Sequence, residues 1–298
     1  MSTNPLTDGS RTTTSAASPV PAPRAHRSQH RADTGTAPSG ATLPRAVLAE
    51  WTKLRSLRST WWTLLIALAL AIGFAALIAA VISNPDATQP RGGPGANGLA
   101  DPVAAALGAT GFSALVLGVL GALVASGEYA TGSISSSLMA LPRRWPLVVA
   151  KASVLLAVLV PFTLVLSLGA LWMAQVVYGD AATIDWTASE TVSAVLGNSG
   201  YLVAVALFGL GLGLLLRATA GAITFLVAVV FVAPPLLQLV TWDWVKAIAH
   251  RFPDVAATSL QSTTGTGVLS DVAAWLTLLG WAVVPVALGA LALQRRDA

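Results

Sequence analysis

The sequence predicts an all-α fold: a polytopic membrane protein with six transmembrane helices and both termini cytoplasmic. Three observations predict it. Six runs contain no Asp, Glu, Lys or Arg: Trp61–Ile82, Val103–Ala125, Ala152–Val177, Val192–Leu216, Ala218–Val240 and Val272–Leu293. Each has the ~20 residues a helix needs to cross ~30 Å of hydrocarbon, where only a segment that pairs its own amides is tolerated. Composition agrees, since 55 % of the chain is hydrophobic and only 10 % is charged, a membrane rather than a globular profile. Finally, the connections alternate in charge. Arg45, Lys53, Arg55, Arg58, Arg143, Arg144, Lys151, Arg217, Arg295 and Arg296 fall on one side. The other side has Arg91, Lys246 and Arg251 among eight acids. Lys/Arg bias in short loops sets orientation, so the cation-rich side is expected in the cytoplasm, and an even number of spans brings both ends there.

Taken in order, residues 1–43 are rich in Ser, Thr, Pro and Ala with scattered Arg11, Arg24, Arg27 and Arg31. Such a segment buries too little apolar area to offset its ordering entropy, and a disordered cytoplasmic tail is expected. It is not a signal peptide, because the first apolar run is a full span. Residues 44–298 form the membrane domain. Pro44–Arg58 reads PRAVLAEWTKLRSLR. On a helix Val47, Trp51 and Leu54 share a face, with Leu48 and Leu57 at its edges, while Glu50 and Lys53 project elsewhere. Arg55 and Arg58 fall near the apolar side, where long cations can snorkel. A short helix in the headgroup region is expected, the plainer alternative being a positive flank to the first span.

Between spans two and three lies Gly127–Lys151, GEYATGSISSSLMALPRRWPLVVAK. Four serines make it too hydroxyl-rich for a tight turn. Ile134, Leu138 and Leu141 recur at helical spacing, and Pro142 and Pro146 would end a short surface helix. Within the spans, Ala114-x-x-x-Gly118 and Gly209-x-x-x-Gly213 suit close helix packing. Pro161, Pro234–Pro235 and Pro285 should bend or break their helices. Ser153, Thr163, Ser167, Gln175, Asn198, Ser199, Thr224 and Gln238 are expected to bond backbone or a neighbouring helix. Most tryptophans sit at the two interfaces, as an aromatic belt requires.

Several chemistries have no support. With no cysteine there is no disulfide or thiolate site. No G-x-x-x-x-G-K-[ST] occurs, so no phosphate-cradling loop is expected, and Gly209, Gly211 and Gly213 lack dinucleotide-loop spacing. The uncharged spans offer no relay for ion coupling. No cofactor or metal is called for. The net charge of +4 reflects topology and attraction to anionic headgroups, not nucleic acid.

The segment A-E-W-T-K-L-R-S-x-R-S-T-W before span one, with E-Y-A-T-G-S-I-S-S-S-L…P-R-R…A-K between spans two and three, resembles ABC-2 type transporter permeases. The short six-span permeases common in actinobacteria are the nearest in pattern. The likeness covers residues 44–296, leaving the N-terminal tail outside the pattern. It implies a type V exporter-like architecture and a permease that pairs with a second permease chain, alike or different. It also implies separate ATP-binding cassette ATPase subunits and outward transport of a hydrophobic or amphipathic compound. By position, the resemblance assigns an interfacial helix with Glu50, Trp51, Lys53, Leu54 and Arg55. It assigns an ATPase-coupling segment with Glu128, Tyr129, Thr131, Gly132, Ile134 and Leu138, closed by Arg143 and Arg144. It also implies short helices outside the membrane before the last span, where Trp242, Val245, Ile248, Ala249 and Phe252 fall mostly on one face. Two other readings stand beside it. A membrane enzyme would have to use Ser199 in Asn198-Ser199-Gly200, and a non-transporting anchor would only recruit a soluble partner.

Overall fold

Each uncharged run folds as a helix, and almost every helix outruns its run. In the computed structural model, which describes residues 42–83, 100–130, 132 and 145–295, the spans are Arg58–Ser83, Pro102–Ala130, Trp145–Tyr178, Ser189–Leu216, Thr219–Gln238 and Asp271–Arg295. Among the described residues there is no strand. The surplus is largest in span three, whose 34 residues make a rod of about 51 Å at 1.5 Å per residue, well over the hydrocarbon thickness. Counting only uncharged residues trims such helices at their first charge, which leaves Glu128 and Lys151 outside the six runs. Both stand on helix. The tail 1–41 and most of the loop between spans two and three lie outside the described residues.

The chain begins its described part with the helix expected at the interface, Leu43–Ser56, carrying a proline in its first turn, where the missing amide costs nothing. Leu57 is extended and ends it, and span one restarts at Arg58. The Trp61 indole donates to the Arg55 carbonyl across this elbow, at 3.2 Å, pairing one of the carbonyls that a helix end leaves open.

Span four is the centre of the bundle, buried over 72 % of its most apolar window. Glycine decides how closely its neighbours approach. A Cβ at Gly209 would land on the Gly118 carbonyl, one at Gly213 would come 2.6 Å from the Ala122 oxygen, and one at Gly121 would meet the Ala206 carbonyl. The two small-residue motifs are thus halves of one crossing between spans two and four. Gly211, two residues round the helix, faces the other way, where an added Cβ would lie 2.5 Å from the Pro285 carbonyl carbon of span six.

Span five is broken. Its first half, Thr219–Val227, passes into a π-turn, Ala228–Val232, before a last turn, Ala233–Gln238. Pro234 and Pro235 cannot donate to the preceding turn and crowd its carbonyls, and a widened turn relieves both problems. Spans three and six run unbroken through Pro161 and Pro285. An unforeseen break divides span two at Ala109–Thr110, between Pro102–Gly108 and Gly111–Ala130. The single Thr110 hydroxyl proton is shared between the Leu107 carbonyl, 2.7 Å away, and Asn198 Oδ1, 3.0 Å away.

Asn198 joins buried polar groups from three other stretches of the chain, Thr110, Ser167 and Gln261. Its amide donates to Ser167 Oγ at 2.8 Å, and its Oδ1 also accepts from Gln261 at 2.9 Å. Gln175 instead binds the backbone of Ala182 and Ile184. These residues tie helices together, as expected. On that same side of the bundle, the segment 242–253 forms the helix Asp243–Ala249, and Pro253–Gln261 follows. Of the residues expected on one face, Val245 is buried, whereas Trp242 and Ile248 are exposed and Trp242 stacks on Trp244.

Candidate functional site

Four ionisable side chains from three distant stretches of sequence meet at the end of the bundle where the interfacial helix lies. Glu50 and Lys53 stand one turn apart on that helix, Glu128 lies near the end of span two, and Lys151 is on the overhanging first turns of span three. Lys151 Nζ donates to Glu50 Oε2 at 2.9 Å, to Glu128 Oε1 at 2.5 Å and to the Val124 carbonyl at 3.5 Å, which uses all three of its protons. Lys53 donates to the same Glu128 oxygen and lies 3.8 Å from Glu50 Oε1.

Small residues make the meeting possible. Ala46 and Ala150 are buried with Leu147, and Val47 and Tyr129 pack against them, so the interfacial helix can lie close to span three. Lys151 is 1 % exposed, while the side chains of Glu128 and Glu50 are 5 % and 8 % exposed. A lone ammonium there would lose several kcal/mol of hydration. Two acids and two bases, each base touching both acids, cancel that charge locally. Burial acts to lower the Lys53 pKa, but its hydrogen bond to Glu128 and attraction to both carboxylates outweigh this and hold it above the ordinary lysine value.

The end of span two holds a second set of ties. Arg217 lies in the turn between spans four and five in the left-handed region, φ 53°, which a non-glycine residue enters at a cost. Its guanidinium stacks over the Tyr129 ring at 5.3 Å, and Thr219 Oγ1 donates to Ser126 Oγ at 3.0 Å. Spans one, three, four and five are therefore all connected, directly or through the interfacial helix, to the last turns of span two.

Several of the sequence-selected residues converge here and others do not. Glu50, Lys53 and Glu128 join one cluster, and Tyr129 borders it. Leu54 is buried, but Trp51 and Arg55 point outward. The helix turns Ala46, Glu50 and Leu54 inward, and Glu50 meets Lys151 there at 2.9 Å. Gly132 sits in a turn at φ 70°, its amide donating to the Tyr129 carbonyl at 3.3 Å. Thr131, Ile134, Leu138, Arg143 and Arg144 lie outside the described residues. Sequence reasoning missed Lys151 and Arg217 as site residues. The signal for Lys151 was a single lysine set between alanines in a long apolar stretch.

Other regions offer less chemistry. Among the described residues no three His, Cys, Asp or Glu side chains gather as metal ligands. Among the described residues, the side-chain partner of Ser199 is the Ser167 hydroxyl, 3.3 Å away, and a hydroxyl is no general base at neutral pH. A groove of about 280 Å³ opens sideways between spans three, four and six, with Thr163, Ser199 and Trp275 on its walls. At the Asp271 end of span six, a wider cleft of about 740 Å³ is lined by Ser262, Thr263, Thr264 and Ser270, with Glu190 and Asp271.

A family model described as "ABC-2 family transporter protein" matches residues 46–240, about two thirds of the chain and all four members of the charge cluster. No curated protein matches the chain.

Proposed function

This chain belongs to the ABC-2 family of transporter proteins, and from that membership we propose that it is the permease subunit of an ATP-driven exporter. In this reading a separate ATPase subunit hydrolyses ATP, a second permease chain completes the membrane pathway, and a hydrophobic or amphipathic compound leaves the cell. The 44–298 membrane domain sits in the plasma membrane with the 1–43 tail, both termini and the 131–144 loop in the cytoplasm. The charge bias of the loops supports that orientation.

The observation that carries the coupling assignment is the Glu50–Lys53–Glu128–Lys151 cluster. It joins the two helices that flank residues 131–144, Gly111–Ala130 and Trp145–Tyr178, to the helix Leu43–Ser56. A push delivered to the loop therefore cannot move span two without also moving the interfacial helix and span three. Glu128 is the shared member, touching both lysines, and we assign it the central coupling role. Arg143 and Arg144 are assigned to the ATPase-facing corner.

Purification in mild detergent from cells that co-express a candidate ATP-binding cassette ATPase tests this reading. The expected result is a stoichiometric complex that hydrolyses ATP, while the permease chain alone does not. Hydrolysis by the purified chain alone, or a complex in which transport substrates never change the ATPase rate, would favour the enzyme or the anchor reading respectively.

A further inference from the structure

Between residues 42 and 60 the only acid is Glu50, and between 127 and 151 the only acid is Glu128. Both are buried, and both are matched to lysines. What the interfacial helix turns outward is therefore cationic: Arg55 and Arg58 are exposed at its C-terminal end and at the start of span one. Beside them lie exposed Leu48, Trp51, Leu57, Trp61 and Trp62.

The apolar and basic groups are not merely scattered. Trp51, Leu54, Arg55, Trp61, Leu64 and Val158 line a cavity of about 140 Å³ between the interfacial helix, span one and span three. The indole of Trp61 is fixed by its bond to the Arg55 carbonyl, so one wall of the cavity is held in place. Guanidinium groups pair with phosphate oxygens in a planar, two-pronged fashion. Aromatic rings accept the glycerol and first methylenes of a lipid at this depth.

We propose that this outward face is a binding site for an anionic phospholipid. Its phosphate lies on Arg55 and Arg58, and the upper part of one acyl chain enters the cavity beside Trp51 and Trp61. The site rests on the cytoplasmic orientation given above, since the inner leaflet supplies anionic lipid at the level of the helix. The internal pairing of acids with lysines has a consequence for binding: no carboxylate on this helix competes for the arginines.

Native mass spectrometry of the full-length chain, delipidated in detergent and then titrated with phosphatidylglycerol or phosphatidylcholine, reads this directly. The expected result is a selectively retained phosphatidylglycerol. Arg55→Gln should lower its affinity about fivefold, and Arg55→Gln with Arg58→Gln about 25-fold, at about one charge contact each. Phosphatidylcholine binding should change little. If the double variant inserts poorly, Arg55→Gln alone and Trp51→Ala keep the test open, the latter weakening both lipids. Equal retention of the two lipids overturns the proposal. So does unchanged phosphatidylglycerol affinity in the variants, or displacement of the lipid by millimolar glycerol phosphate, which would mark a free-anion site. None of these readouts needs an ATPase, so a failure here is distinct from a failure of the transport reading.

Discussion

Replacing Lys151 by methionine keeps the length of the side chain and removes its charge. Glu50 and Glu128 would then face each other across the former Nζ position, both at least nine-tenths buried, with the half-exposed Lys53 still beside them. Removing one partner from a buried pair costs about 3–5 kcal/mol, against a total stability commonly near 5–15 kcal/mol. At about 2–4 °C per kcal/mol for a chain of this size, the melting temperature in detergent should fall by roughly 6–20 °C. The account makes a sharper demand on the double variant. Adding Glu50→Gln leaves one base and one acid, and should restore more than half of the loss, a positive coupling in a double-mutant cycle. Static light scattering or tryptophan-fluorescence melts on the purified chain supply the numbers. Additive losses, with the double variant worse than Lys151→Met, would refute the claim that charge balance holds this corner together.

Other expectations follow from single contacts. Gly121→Ala and Gly209→Ala each drive a methyl into a carbonyl of the facing helix. Each should cost about 1–3 kcal/mol, and the pair should cost less than the sum, because the first already separates spans two and four; melts of the three variants decide this. At the strained turn, Arg217→Gly should be more stable than Arg217→Ala by about 1 kcal/mol, since both lose the Tyr129 contact and only glycine relieves the backbone. Lys53 is held above its ordinary pKa, so its share of stability is complete below the unfolded lysine value and is lost as pH rises through the folded one. Melting temperature should therefore show no Lys53-dependent change from pH 6 to 9 and a Lys53-dependent fall only above about 10.4, absent in Lys53→Met.

The spans were legible because twenty uncharged residues in a row have few alternatives in water or lipid, and the close-packing motifs because glycine at i and i+4 leaves a backbone open. Pairing was not legible. Nothing local says that Gly209 meets Gly118, or that Gly211 two positions on meets Pro285. The charge cluster was half visible. Glu50, Lys53 and Glu128 stand out as candidates, but the helix wheel says only that Glu50 lies off the apolar face, not what it meets. Its partner Lys151 is 101 residues distant, and on a helix that overhangs the membrane a buried charge looks like a loop charge. The π-turn in span five had a readable cause in Pro234–Pro235, whereas the break at Thr110 follows from Asn198, a tertiary partner that periodicity does not report.

Glu128→Gln tests most directly whether the buried charge cluster carries force between an ATPase and the spans. The substitution preserves shape and keeps acceptors for both lysines while removing the charge they share. Measured on the purified permease–ATPase complex in proteoliposomes, the account predicts normal assembly and basal ATP hydrolysis, with substrate-stimulated hydrolysis and transport reduced at least tenfold. A complex carrying Glu128→Gln that transports as fast as the parent would contradict it.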